Sequence, residues 1–144
     1  MSEQWIWRCD HVIPSDTMAA RRVLDEVLQA LESQHWQQRD VFSVHLAMEE
    51  ALVNAIHHGN HLDTAKHVRV ICLVSPDRVR IEIIDEGGGF APAAVPDPTC
   101  PERLHTCCGR GVMLMKAFMS RVEFSSVGNH VVLEKDRSEA GQSL

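Results

Sequence analysis

Apolar and polar positions change period several times along the chain, and each change predicts an element. Residues 4–12 alternate, with Trp5, Trp7 and Cys9 set against Ile6 and Arg8, the two-residue period of a strand. Pro14 halts that strand and Ser15 is placed to cap a helix. From Asp16 to about Ser33, Val23, Val27 and Leu31, flanked by Leu24 and Leu28, recur at helical spacing. A polar connector, Gln34 to Asp40, separates this helix from a second, predicted from about Val41 to His58. Its buried stripe is Val41, Val44, Met48, Ala51, Leu52 and Ala55, and Gly59 with Asn60 reads as a glycine C-cap. Residues 67–74 and 79–84 read as strands, tied by Ser75-Pro76-Asp77 into an antiparallel hairpin. Periodicity is then lost over 86–108, which gathers glycines, cysteines and four prolines, as a functional lid would. A third helix follows from Gly111 to about Met119, with Val112, Met115 and Met119 on one side. Residues 121–127 and 130–134 form a closing hairpin around Gly128-Asn129, and the polar tail from about Asp136 is expected to be frayed.

Strands at both ends with helices between them predict an α+β domain. The expected architecture is a two-layer α/β sandwich, with helices on one face of a mixed, mostly antiparallel sheet. A length of 144 residues suits one domain over 1–144. Composition changes this picture little: 44% hydrophobic and 24% charged residues are enough for a real core. A net charge of −6 argues against a general nucleic-acid binder, since phosphate repulsion is not offset. No stretch approaches the roughly 20 apolar residues of a membrane span. Met1-Ser2-Glu3-Gln4 does not open a secretory signal. The five cysteines are odd in number and irregularly spaced, which fits free thiols in a reducing cytoplasm.

Candidate chemistry falls in three places. Glu50, Asn54 and His58 lie at i, i+4 and i+8 of the second helix and share one side, beside the apolar stripe. Asn is a poor residue for mid-helix; its amide oxygen is a hard ligand suited to Mg²⁺. Glu50, one turn earlier, is placed to accept a proton from an attacking hydroxyl or water. Strand 79–84 runs into Asp85, whose carboxylate can accept from an amino group such as that of adenine. Gly87 and Gly89 let the backbone approach a flat ring. Gly109-Arg110-Gly111 precedes a helix, where free N–H groups can cradle phosphate and Arg110 can add a charged bond. Taken singly, each has an ordinary explanation: a solvated helix face, an Asp-rich turn, a glycine turn. No Walker loop or dinucleotide fingerprint is present.

The order of these motifs carries more than any one of them. Glu50-x-x-x-Asn54-x-x-x-His58-Gly59, Asp85-x-Gly87-x-Gly89-Phe90 and Gly109-x-Gly111, with a lid-like loop between the last two, resemble the GHKL (Bergerat-fold) ATPase superfamily over residues 5–135. Glu49-Glu50-Ala51-Leu52-Val53-Asn54-Ala55, Gly109-Arg110-Gly111-Val112-Met113-Leu114-Met115 and Met119-Ser120-Arg121-Val122-Glu123-Phe124 are similar to its anti-sigma-factor serine kinase branch, of the RsbW and SpoIIAB type. The resemblance implies ATP and Mg²⁺ as cofactors. Asn54 would hold the metal, Asp85 adenine, and Gly87, Gly89, Gly109 and Gly111, with His58, would shape the pocket. Arg110 would touch phosphate, and Glu50 would activate a protein serine. It also implies a homodimer, and the composition adds the expectation of a cytoplasmic protein with no membrane or nucleic-acid partner. Such a dimer phosphorylates an anti-anti-sigma protein and sequesters a sigma factor. One departure stands out: the family often has Gly-Thr before its final strand, the Thr supporting the adenine-binding Asp, whereas Gly128 here precedes Asn129 and His130.

Other readings compete. An autonomous histidine kinase needs a phosphoaccepting His on a dimerising hairpin, and His35 lies in a connector. Gyrase- and chaperone-like ATPases need coupling domains for which this length leaves no room. A nucleotide-dependent binding module with little phosphotransfer is the serious rival. Zinc on Cys100, His105, Cys107 and Cys108 is disfavoured by irregular spacing. A metal at His57, His58 and His61 is disfavoured because the motif accounts for His58, and residues like His57 and His61 are more often surface residues near a helix end.

Overall fold

The computed structural model describes residues 4–87, 110–125 and 129–138. Its elements run β1 (Trp7–Pro14), α1 (Thr17–Ser33), α2 (Gln38–Val53), a π-helical turn (Asn54–Gly59), β2 (His67–Val74), β3 (Arg78–Ile84), α3 (Arg110–Phe118), β4 (Arg121–Phe124) and β5 (His130–Asp136). The strands form one sheet in the order β1-β2-β3-β5-β4. Every pairing is antiparallel, so the parallel component allowed by a mixed sheet is absent among the described strands.

Alternation places Val68, Val70, Cys72 and Val74 of β2, Val79, Ile81 and Ile83 of β3, and Val131 and Leu133 of β5 on the buried face. There they join Val23, Leu24, Val27 and Leu31 of α1, Val41, Val44, Met48, Ala51 and Leu52 of α2, and Met115 of α3 in one core. The other face carries ion pairs instead: Arg69–Asp10 at 2.7 Å, Arg80–Glu134 at 3.3 Å and Arg121–Glu134 at 2.7 Å. The expected α+β sandwich, with helices on one face, is what the chain forms.

Several boundaries differ for local reasons. Asp16, not Ser15, caps α1, accepting from the Met18 N–H at 3.1 Å. Ser15 is buried and donates its hydroxyl to the Lys66 carbonyl at 2.9 Å. The second helix begins at Gln38, because Asp40 in its first turn is buried by tertiary contacts that a polar tripeptide does not announce. At the other end, β5 runs through Asp136, so the expected fraying does not begin there. Arg137 then lies over the Trp36 ring, 5.5 Å from its centroid, and donates to the carbonyls of Gln34 and His35 at 2.9 and 3.0 Å. Ser138 donates its N–H and hydroxyl to Asp40 at 2.8 and 2.7 Å. The rest of the tail, 139–144, lies outside the described residues.

Candidate functional site

Two corners meet at the ends of the π-helical turn. At its start, Glu50 and Asn54 stand one helical turn apart and face the first residues of α3. A Cβ added at Gly111 would lie 3.1 Å from Glu50 Oε2, 3.3 Å from Asn54 Nδ2 and 3.7 Å from Asn54 Oδ1. The glycine lets α3 approach both polar side chains closely. Asn54 is also where the helix changes type: the Asn60 N–H donates five residues back, to the Ala55 carbonyl at 2.9 Å. Single π turns inside α-helices occur frequently at functional sites. This change relieves the puzzle of a mid-helix Asn. His58 lies half-buried in the wide turn, its ring 6.5 Å from that of His57. His61 and Leu62 follow with φ of 53° and 59°, a left-handed pair that swings the chain toward β2.

At the far end of the turn is Asp85, only 8% exposed, just past β3. Its N–H donates to the Asn129 carbonyl at 2.9 Å, and its Oδ1 accepts from the Gly87 N–H at 2.8 Å. A side chain on Gly59 would overlap the Asp85 carboxylate, and one on Gly87 would overlap the Gly59 carbonyl. The two glycines are thus required by close approach of backbone to backbone and to carboxylate. Burial raises the Asp85 pKa, opposed by the Gly87 N–H and by the charge of Lys66.

The residue that sequence reasoning missed is Asn60. It is fully buried, and its Nδ2 donates to Ser15 Oγ at 2.9 Å and the His67 carbonyl at 3.0 Å. Its Oδ1 accepts from the Glu86 N–H at 2.8 Å. One side chain therefore pins the end of the π turn, the start of β2 and the peptide after Asp85. Its only sequence signal was an Asn after Gly59, which reads equally well as a helix cap. Where the family often has Gly-Thr, the residue just before β5 holds the Asp85 backbone, through the Asn129 carbonyl. The Asn129 side chain instead accepts from Ser125 Oγ at 3.2 Å, and His130 Nε2 meets Glu82 Oε1 at 3.1 Å.

Of the other candidates, Arg110 opens α3. Gly89, Gly109, Cys100, His105, Cys107 and Cys108 lie outside the described residues. No helix among the described residues is long and apolar enough to cross a membrane.

A sequence profile of the histidine kinase-like ATPase domain matches residues 13–135. Comparison with curated proteins gives no match. Among solved structures, the chain is similar to one of the RsbU and RsbW domains of a Mycobacterium tuberculosis protein. The TM-score is 0.61 at 16% identity, over 91% of this chain and 32% of the other. The chain thus spans about a third of that structure's length, and at this identity the likeness shows a shared fold. With the profile spanning Glu50, Asn54, Asp85 and Gly111 in one match, the chain belongs to the histidine kinase-like ATPase domain family.

Proposed function

We propose that the chain is an ATP- and Mg²⁺-dependent protein-serine kinase that acts on a small anti-anti-sigma regulator and also sequesters a sigma factor. The observation that carries this reading is the shared placement of Glu50 and Asn54 against Gly111, at the N-terminus of α3. The Asn54 amide oxygen is a hard donor that suits Mg²⁺ beside phosphates, and the Glu50 carboxylate next to it is placed to take a proton. The helix N-terminus suits the phosphates themselves. Asp85, held in a crowded glycine corner, offers Oδ2 to an exocyclic amine, since Oδ1 already accepts from Gly87. Mg²⁺ held through Asn54 would screen charge on the phosphates. Similarity in fold to the structure of RsbU and RsbW domains favours a protein regulator as phosphate acceptor.

In the proposed step, a serine Oγ bonds to the γ-phosphorus while the bond to the β–γ bridging oxygen breaks and ADP leaves. The hydroxyl proton passes to the Glu50 carboxylate. Purified protein with γ-labelled ATP and a candidate regulator tests the reading. Wild type should label a serine, and Glu50→Ala should bind ATP but lose transfer by roughly a hundredfold or more. Asn54→Ala should stay folded and lose Mg²⁺-dependent nucleotide binding. Nucleotide binding by wild type with no transfer to any acceptor would leave a nucleotide-dependent binding module in the kinase's place.

A further inference from the structure

A second group of donors lies away from the nucleotide corners, between β1 and α1. Cys9 and His11 are two residues apart on β1, so their side chains share the face turned toward the helices. Glu26 of α1 reaches over them, its Oε2 3.0 Å from His11 Nε2. The ligand atoms of Cys9, His11 and Glu26 all lie within 4.8 Å of one another. Cys72 stands directly across from Cys9 in the β1–β2 register and is fully buried.

An ion pair beside two thiols would be the plain explanation, yet it leaves one atom unexplained. His11 Nε2 is shielded from water and makes no well-aligned hydrogen bond, despite the nearness of Glu26. A shielded ring nitrogen without a proper partner is costly unless something else takes its lone pair.

We propose that Cys9, His11 and Glu26 form a binding site for a thiophilic divalent cation, with zinc the best match to the donors. Sulfur, imidazole nitrogen and carboxylate oxygen are the three zinc ligand types, and ligand atoms around a tetrahedral zinc sit about 3.5 Å apart. The cluster therefore closes by small side-chain rotations. Binding releases the Cys9 thiol proton to solvent, and one thiolate with one carboxylate neutralises the dication, which limits the cost of a half-buried charge. His11 donates its Nε2 lone pair, with its proton on Nδ1. Cys72 stays outside the ligand set, and a water completes the tetrahedron. The site braces the edge strand to α1.

The test uses reduced, tag-free, chelator-stripped full chain titrated with Co²⁺, then displaced by Zn²⁺. The expected result is one equivalent bound with a sulfur-to-cobalt charge-transfer band, absent in Cys9→Ser. Zinc affinity should fall by at least roughly tenfold in His11→Ala and in Glu26→Gln, the latter an exposed position where folding is not at risk. A variant with Cys100, Cys107 and Cys108 all changed to Ser should keep the band. The proposal is overturned if wild type shows no thiolate band, if the band survives Cys9→Ser, or if it disappears when Cys100, Cys107 and Cys108 are changed. An oxygen-ligated site at Asn54 gives no such band, so failure here leaves the kinase reading untouched.

Discussion

Asp85 pays for its position with desolvation, and at the scale of one residue this separates stability from function. A carboxyl whose folded pKa is raised stabilises the fold only while protonated, and that contribution is lost as pH rises through the raised value. At neutral pH the ionised Asp85 therefore costs stability. Asp85→Asn is isosteric and keeps an oxygen for the Gly87 N–H, so it should melt higher than wild type at pH 7. The advantage should shrink as pH falls through the raised pKa and vanish below the ordinary carboxylate value of 3.8. The same variant should bind ATP more weakly, because an amide does not offer the anionic acceptor. Thermal melts across pH, alongside nucleotide titration, check both signs. Equal melting of the two proteins at pH 7 would show that burial does not penalise this carboxylate.

Between elements, the decisive contact is α3 against the end of α2. Gly111 sits in the first turn of α3, where alanine is favoured by at most about 1 kcal/mol. Yet a methyl there would press on Glu50 Oε2 at 3.1 Å. The obstructing atom is the tip of a flexible side chain, so the fold can yield while the site cannot. Gly111→Ala should keep stability within about 1 kcal/mol of wild type. Phosphotransfer should fall by roughly tenfold or more, as small displacements of a reacting group do. Denaturant titration and a labelled-ATP assay read the two effects apart, and unaltered transfer would remove Glu50 from the chemistry. The helices and hairpins themselves were legible because their apolar periods are local. The π turn was not, since its extra residue is stabilised by Asn60 reaching Ser15, His67 and Glu86.

For the whole molecule, the ends of the sandwich are joined by a clasp that no local pattern announces. Asp40 is fully buried and accepts both donors of Ser138, while Arg137 crosses Trp36 and reaches the Pro76 carbonyl at 3.1 Å. Ending the chain at Arg137 removes both donors and leaves a buried carboxylate unpaired, at a cost of about 2–3 kcal/mol. Urea titration should show a lower midpoint with an unchanged slope. Replacing Asp40 with Asn should recover part of the loss. A truncated chain as stable as the full one would mean that Asp40 finds other donors.

The sequence by itself determined the element types, the apolar stripes that face the core, and the order of Glu50, Asn54, Asp85 and Gly111 that marks the family. These are properties of short windows, where side-chain period and backbone preference act without a partner. Only the tertiary structure decided that Ser15 bridges rather than caps, and that Asn60 holds the Asp85 corner. It alone decided that Asn129 supports Asp85 through its backbone, and that Cys9 and His11 meet Glu26. Each of these depends on burial and on partners up to dozens of residues away, which a linear pattern does not encode.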